Sequence, residues 1–301
     1  MIVGHQKQWQ FLKKSFQIGR LSHAYLFSGQ EKLGKKKVAL ELISFIFGQD
    51  LSKKFHPDFL FIEPMGKEIQ INQIRDLNWK LSLKPYSAPL KAAIIDQVHL
   101  MNQEAQNCFL KTLEEPKGES LLILISEYPE FLLPTIRSRC EVIKFYPVSK
   151  KEIEDYLKEQ GLSENTVQII SQISQGKPGV AIDFLNQPQK LKEREVLLKE
   201  IINLTKSDLA SRFQYAQKIS NSPHLSEILN IWLSYFRENL ISNLNSKKPV
   251  KKLIDILQKI HQINFLVSTT NINSRLALEI LMLELSTYDK SSNPQLQRYY
   301  Q

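Results

Sequence analysis

Five short apolar runs punctuate the first half of the chain: Ala24–Ser28, Phe59–Ile62, Ala92–Asp96, Leu121–Ser126 and Cys140–Phe145. Each is nearly continuous rather than alternating, so the strand it forms must be covered on both faces. Between them lie stretches with helical spacing: Val38, Leu42, Ile43 and Ile46, then Ile71 to Leu83, then Asn102 to Leu113 ahead of Pro116. Buried strands alternating with helices predict a parallel sheet between helical layers, an α/β domain over residues 1–147.

Beyond Phe145 the pattern changes, and no strand is expected after Lys150. Lys150–Gln160, Glu164–Ser174 and Val180–Leu185 predict a small helical module over residues 148–188, with turns at Gly161 and Gly176–Gly179. Longer helices follow over residues 189–290. Leu225, Ile228, Leu229, Trp232, Phe236 and Leu240 share one helical face. In the last helix Leu276, Ile280 and Leu283 line one face while Leu278, Leu281 and Leu285 fill the next, which predicts packing on both sides, as in a bundle or an oligomer core. The polar stretch 291–301 reads as a frayed tail.

Composition narrows the function classes. No apolar run approaches the roughly 20 residues that span a bilayer, and Met1–Gln10 is too polar for a secretory signal. The expected compartment is the cytoplasm, with no membrane partner. Cys108 and Cys140 both lie in apolar stretches, which suits reduced, buried thiols. Two cysteines without CxxC spacing build no four-thiolate zinc site, and the histidines show no ligand pattern, so no metal site is expected. The net charge is +9, and residues 1–60 hold ten Lys or Arg against four Asp or Glu. That bias suits nucleotide phosphates or a DNA backbone. A solvated basic surface explains the charge equally well.

One turn carries chemistry. Gly29-Gln-Glu-Lys-Leu-Gly34-Lys35-Lys36 matches GxxxxGK between an expected strand and an expected helix. In such a loop, backbone N–H groups converge on phosphate and the lysine bridges the terminal phosphates. The next residue should offer a hydroxyl to Mg²⁺; here it is Lys36, an ammonium that cannot ligate a cation. A carboxylate ends the apolar run Ala92–Asp96, as expected for the group that holds Mg²⁺ through water. Its neighbour Gln97 stands where an acid would orient the attacking water. The alternatives are a helix N-cap or turn role for Asp96 and a plain strand–turn–helix junction for the loop; the strand and helix on either side favour the phosphate-loop reading. Both departures point one way: the loop keeps phosphate-binding parts and lacks those for turnover.

Two longer segments carry a resemblance. Asn107-Cys-Phe-Leu-Lys-Thr-Leu-Glu-Glu-Pro116 and Leu133-Pro-Thr-Ile-Arg-Ser-Arg-Cys140, with Leu21-Ser-His-Ala24, His56-Pro-Asp58, Ile71–Leu77 and Asn273–Glu279, resemble the clamp-loader family of AAA+ proteins. The resemblance spans about residues 1–288 and is dense only in the first half. It implies a RecA-like AAA+ domain (1–147), a helical lid (148–188) and an all-α collar (189–290). It also implies partners: a gamma/tau-like ATPase and a delta subunit in a hetero-oligomeric ring, the sliding clamp and primer–template DNA. In Ser138-Arg139-Cys140 it makes Arg139 a finger acting in trans on a neighbour's ATP site, with Arg137 the confounder two residues away. Outside the family, such an arginine is more often a surface ion-pair residue.

This chain departs from the family pattern twice more. The zinc-binding cysteines of many relatives are absent, so no zinc is expected. The lid turn Gly176–Ala181 lacks the sensor arginine of ATP-hydrolysing relatives. Gly29, Gly34, Lys35, Lys36 and Asp96 thus form a degenerate nucleotide site, with ATP or ADP binding without hydrolysis left open. The expected function is that of a non-hydrolysing clamp-loader subunit with no independent catalysis. Its rivals are an active gamma/tau-like ATPase, disfavoured by Lys36, Gln97 and the lack of a proline-rich stretch after residue 288, and a stand-alone basic DNA-binding protein.

Overall fold

A computed structural model of the chain describes residues 2–51, 56–116, 118–246, 249–270 and 272–286, with the side chains of residues 269 and 286 left aside. The expected tail 291–301 lies outside the described residues. The chain divides into two compact units, residues 1–186 and 187–301.

In the first unit the order is α1 (Gln6–Gln17), β1 (Ala24–Ser28), α2 (Lys35–Phe47), β2 (Phe59–Ile62), α3 (Ile71–Ser82), β3 (Lys91–Ile95), α4 (Gln103–Glu114), β4 (Ser120–Ser126), α5 (Pro134–Arg137) and β5 (Glu141–Lys144). Helices α6 (Lys150–Glu159), α7 (Glu164–Ser174) and α8 (Pro178–Asn186) complete it. The five strands form one sheet in the order β2-β3-β4-β1-β5, and every pairing is parallel. Strand side chains divide by parity. Ala24, Leu26, Ala93, Ile95, Leu122 and Leu124 pack against α3 and α4 through Ile74, Leu77, Phe109 and Leu113. Tyr25, Phe27, Ala92, Ile94, Leu121 and Ile123 pack on the opposite face against Leu12 of α1 and Val38, Leu42 and Ile43 of α2. Two covered faces explain why these strands read as continuous apolar runs.

The sequence placed some boundaries a residue or two away. Asp96 falls just past β3, and α8 begins at Pro178 rather than Val180. A proline suits the first helical turn, where its missing N–H has no partner to lose.

The second unit is helical among its described residues: α9 (Gln189–Lys206), α10 (Leu209–Ser220), α11 (Leu225–Asn245), α12 (Lys251–Thr269) and α13 (Ser274–Ser286). Its core gathers Leu229, Trp232 and Phe236 of α11 with Ile256 and Ile260 of α12 and Leu278, Leu281 and Leu285 of α13. The buried Arg212 guanidinium donates to the Leu204 and Thr205 carbonyls (2.9 and 3.2 Å), adding to the capping of the last turn of α9. The last helix is buried on one side within the single chain. One apolar row is buried, but Leu276, Ile280 and Leu283 are 56%, 40% and 47% exposed. A partly exposed apolar row is suited to a second surface.

Asp58 anchors one side of the sheet. It is fully buried at the start of β2 and accepts from the backbone N–H groups of Tyr86, Ser87 and Ala88 at 2.7, 2.9 and 3.0 Å, with Lys91 Nζ at 3.6 Å. Burial pushes its carboxyl pKa up, but the three N–H donors and the ammonium outweigh that and hold it below the usual range. Asp58→Ala, which leaves Lys91 buried without a counter-charge, should cost about 3–5 kcal/mol in urea unfolding. Because folding lowers this pKa, its contribution is present above the ordinary aspartate pKa of about 3.9 and is lost as pH falls through the lower folded value. Asp58→Asn should therefore flatten the acid limb of a stability–pH curve.

Candidate functional site

Parallel pairing brings the segments that follow β1, β3 and β4 out side by side at the carboxyl edge of the sheet, where open α/β sheets bind ligands. After β1 comes Gly29, at φ +151°, its N–H donating to Ser126 O (3.2 Å). A Cβ there would collide with the Phe145 carbonyl oxygen, so only glycine fits between the ends of β4 and β5. Gly34, at φ +93°, turns the chain into α2, which begins at Lys35. The loop is braced from three directions: His5 Nε2 lies 2.9 Å from Leu33 O, Gly179 N donates to Lys32 O (2.8 Å), and Lys32 pairs with Asp183 of α8 (3.0 Å).

Lys35 is 6% exposed, and its ammonium donates to the Gly29 and Gln30 carbonyls at 2.5 Å each. Burial lowers its pKa to about 8, opposed by the carboxylates of Glu127, Asp96 and Glu31 and reinforced by Lys177. All five expected residues of the nucleotide site, Gly29, Gly34, Lys35, Lys36 and Asp96, therefore meet at this edge. The groups required for Mg²⁺ do not. Mg²⁺ takes oxygen ligands in an octahedron, yet Lys36 Nζ lies 3.4 Å from Asp96 Oδ2 and 4.1 Å from the centre of the Phe61 ring. The other Asp96 oxygen accepts from Gln97 N at 3.0 Å, with Gln97 itself at φ +50°. The residues present do not fit a magnesium ion.

Three participants at this edge had no role in the sequence. Glu127 follows β4, and burial, together with Glu31, raises its pKa. Lys177, in the lid turn ahead of α8, is within electrostatic reach of both Lys35 and Glu127. His99 Nδ1 lies 3.3 Å from Ser126 Oγ, and burial, with Lys35, pulls its pKa down to about 4, leaving it neutral at pH 7. Glu127 had a readable signal, an acid directly after a buried strand. The other two depended on chain segments meeting in space.

Arg139 stands at the opposite edge. Glu141 pairs with Tyr25, so Arg139 precedes the amino end of β5 while Gly29 follows the carboxyl end of β1. At about 3.3 Å per residue these edges are on the order of 15 Å apart. Arg139 Nη2 lies 2.8 Å from Glu114 Oε1 and Nη1 donates to Thr135 O (2.9 Å). Its flanking residues hold the turn: Cys140 is buried in the core, its thiol pushed up to about 12 by burial, and Ser138 Oγ donates to Thr135 O (3.1 Å). Arg137 is exposed.

Motifs far apart in sequence converge here. His23 Nε2 lies 3.2 Å from Leu113 O, at the end of α4. The Gln106 side chain, unassigned by the sequence, clamps α4 to the segment before α5 by accepting from Leu133 N (2.8 Å) and donating to Phe131 O (3.2 Å).

The chain resembles known proteins in sequence and in fold. A family model described as DNA polymerase III, delta subunit, matches residues 4–149. The chain is 34% identical over 179 residues to DNA polymerase III subunit delta' of Bacillus subtilis, covering 55% of this chain and 54% of that protein. It is 26% identical over 219 residues to DNA polymerase III subunit gamma of Buchnera aphidicola (66% and 60% covered), and 25% identical over 310 residues to subunit delta' of Escherichia coli (92% of each). The chain thus spans about half the length of the Bacillus relative. Among solved structures, a gamma subunit-related protein of Thermotoga maritima superposes with a TM-score of 0.54 at 22% identity, covering 91% of this chain and 98% of that one. Thermotoga maritima RuvB gives 0.51 at 14%, covering 91% and 87%. These likenesses identify the fold as RecA-like AAA+ with helical additions.

The buried lysine is directly measurable. With ¹³C at lysine Cε, one signal should titrate near pH 8, below the ordinary lysine value of about 10.4, and vanish in Lys35→Arg. Between those two values the folded state binds fewer protons than the unfolded, so this group favours folding increasingly as pH rises through that window. A spectrum in which every lysine titrates above about 9 would contradict the burial of Lys35.

Proposed function

We propose that the chain works as a delta-prime-like, non-hydrolysing subunit of a DNA polymerase III clamp loader, a reading supported by its likeness to delta' and gamma subunits. In this role it sits in a hetero-oligomeric ring in the cytoplasm with gamma/tau-like and delta-like subunits and helps load the sliding clamp onto primer–template DNA. It supplies Arg139 to the ATP site of a neighbouring subunit.

One observation carries the trans role: Arg139 and the phosphate loop occupy opposite edges of one parallel sheet. The guanidinium cannot turn to its own loop, so any phosphate it meets belongs to another molecule. It is permanently charged and offers five donors in a planar fork. Two are engaged with Thr135 O and Glu114; the rest are left for phosphate oxygens, where such fingers accelerate transfer by about 10³–10⁵. The Glu114 pair is partly exposed and contributes at most about 1 kcal/mol, so exchanging it for a triphosphate costs little.

Other features support assembly. The open apolar row Leu276, Ile280 and Leu283 suits packing against a neighbour's helix in a collar formed by residues 189–290. Helices α6–α8, within residues 148–188, would form the lid, with α8 already hydrogen-bonded to the phosphate loop. Both cysteines are free thiols, in keeping with a reducing compartment.

An active gamma-like ATPase is the second reading, and the retained Gly34 and buried Lys35 favour it. Against it stand the Lys36–Asp96 pair, which does not suit a metal ion, and the amide at Gln97 in place of the acid that would orient water.

The isolated chain should show no ATP turnover with or without primed DNA; turnover abolished by Lys35→Ala would transfer the assignment to the ATPase. In the reconstituted loader, Arg139→Ala should lower DNA-stimulated ATPase and clamp loading by about tenfold or more, while Arg137→Ala has a much smaller effect. An unchanged rate removes Arg139 from the role. Leu276→Asp with Ile280→Asp should leave the isolated chain folded by circular dichroism and prevent its entry into the complex on size exclusion.

A further inference from the structure

The phosphate loop retains its shape but has exchanged its metal site for an ammonium. Gly29 and Gly34 hold the positive φ angles that the loop requires, and Lys35 is buried behind it with its ammonium on two loop carbonyls. Lys36 follows, at the position where phosphate-loop NTPases offer a hydroxyl to Mg²⁺. Its Nζ lies 3.4 Å from Asp96, the carboxylate that would hold the ion's water shell, and the Phe61 ring packs 4.1 Å beneath it. These two contacts fix a positive charge between the loop and the end of β3. We propose that this loop binds the phosphates of a nucleoside di- or triphosphate without a divalent metal, the Lys36 ammonium standing where the ion would sit.

The charges around the site fit such a ligand. The cations are Lys35, Lys36 and Lys177; the carboxylates sharing the region are Asp96, Glu31 and Glu127. An incoming polyphosphate replaces contacts these cations make within the chain with charge-assisted bonds of the same kind. A Mg²⁺ ion carried in by the nucleotide would face the Lys36 ammonium directly and find Asp96 already engaged by Lys36 and the Gln97 N–H. An ammonium can neutralise phosphate charge but cannot polarise a water molecule as a metal does. Bound nucleotide would therefore persist as a structural ligand of the loop, steadying the contacts that tie it to α8 through Lys32, Gly179 and Asp183.

This inference shares with the proposed function only the absence of turnover, and its test uses the intact chain alone rather than the assembled loader, so either can fail without the other. Equilibrium dialysis with radiolabelled ATP and ADP would be run once in excess Mg²⁺ and once in EDTA. The wild-type chain should bind with the same affinity in both, within about threefold. Lys36→Ala should weaken binding in EDTA by about tenfold or more. The Lys36 side chain is 47% exposed, so the variant should keep its fold, which thermal unfolding would check. Wild-type binding that needs Mg²⁺, no wild-type binding at all, or a folded Lys36→Ala variant that binds as wild type would each overturn the proposal. The comparison of the two buffers stands even if the variant fails to fold.

Discussion

Parallel pairing of β1 with β4 on one side and β5 on the other sends every strand's carboxyl end to one edge of the sheet and every amino end to the other. The edges are chemically unlike because the chain crosses between them only through helices. Loops leaving the strands gather Gly29, Asp96 and Glu127; segments entering them gather His23, Glu114 and Arg139. The glycine-bounded loop that ends at Lys35 and the half-buried Arg139 thus share one rigid platform without being able to touch. A close-packed sheet covered on both faces is barely compressible, so the separation is a fixed property of the fold.

At the carboxyl edge electrostatics dominate. Burying Lys35 beside a second lysine would be costly without nearby carboxylates, and Asp96, Glu31 and Glu127 supply them. The result is a site neutralised from within. The partners of its cations are the Gly29 and Gln30 carbonyls for Lys35 and the Asp96 carboxylate for Lys36. At the amino edge the balance differs: Glu114 and Thr135 hold Arg139 weakly enough for exchange, while the buried Cys140 and the Gln106 clamp fix the backbone that presents it.

The apolar runs disclosed the sheet because burial on two faces demands continuous hydrophobicity, and the parity of their side chains matches two cores. The GxxxxGK pattern was legible because glycine at positive φ and a lysine at a helix start have few other uses together. In the last helix two apolar rows look alike in sequence, and the single chain buries one while the other is partly exposed.

Local chemistry in the sequence therefore determined the α/β architecture, the loop with its missing hydroxyl and the motif containing Arg139, since each follows from residue type and near-neighbour spacing. Only the tertiary structure decided that Lys36 closes on Asp96, that Glu127 and Lys177 join Lys35, that Gln106 and Glu114 serve the arginine turn, and that Arg139 lies across the sheet from the chain's own loop. Those facts depend on strand order. Strand order is set by how helices cross and pack over the sheet, a long-range outcome that no local spacing encodes.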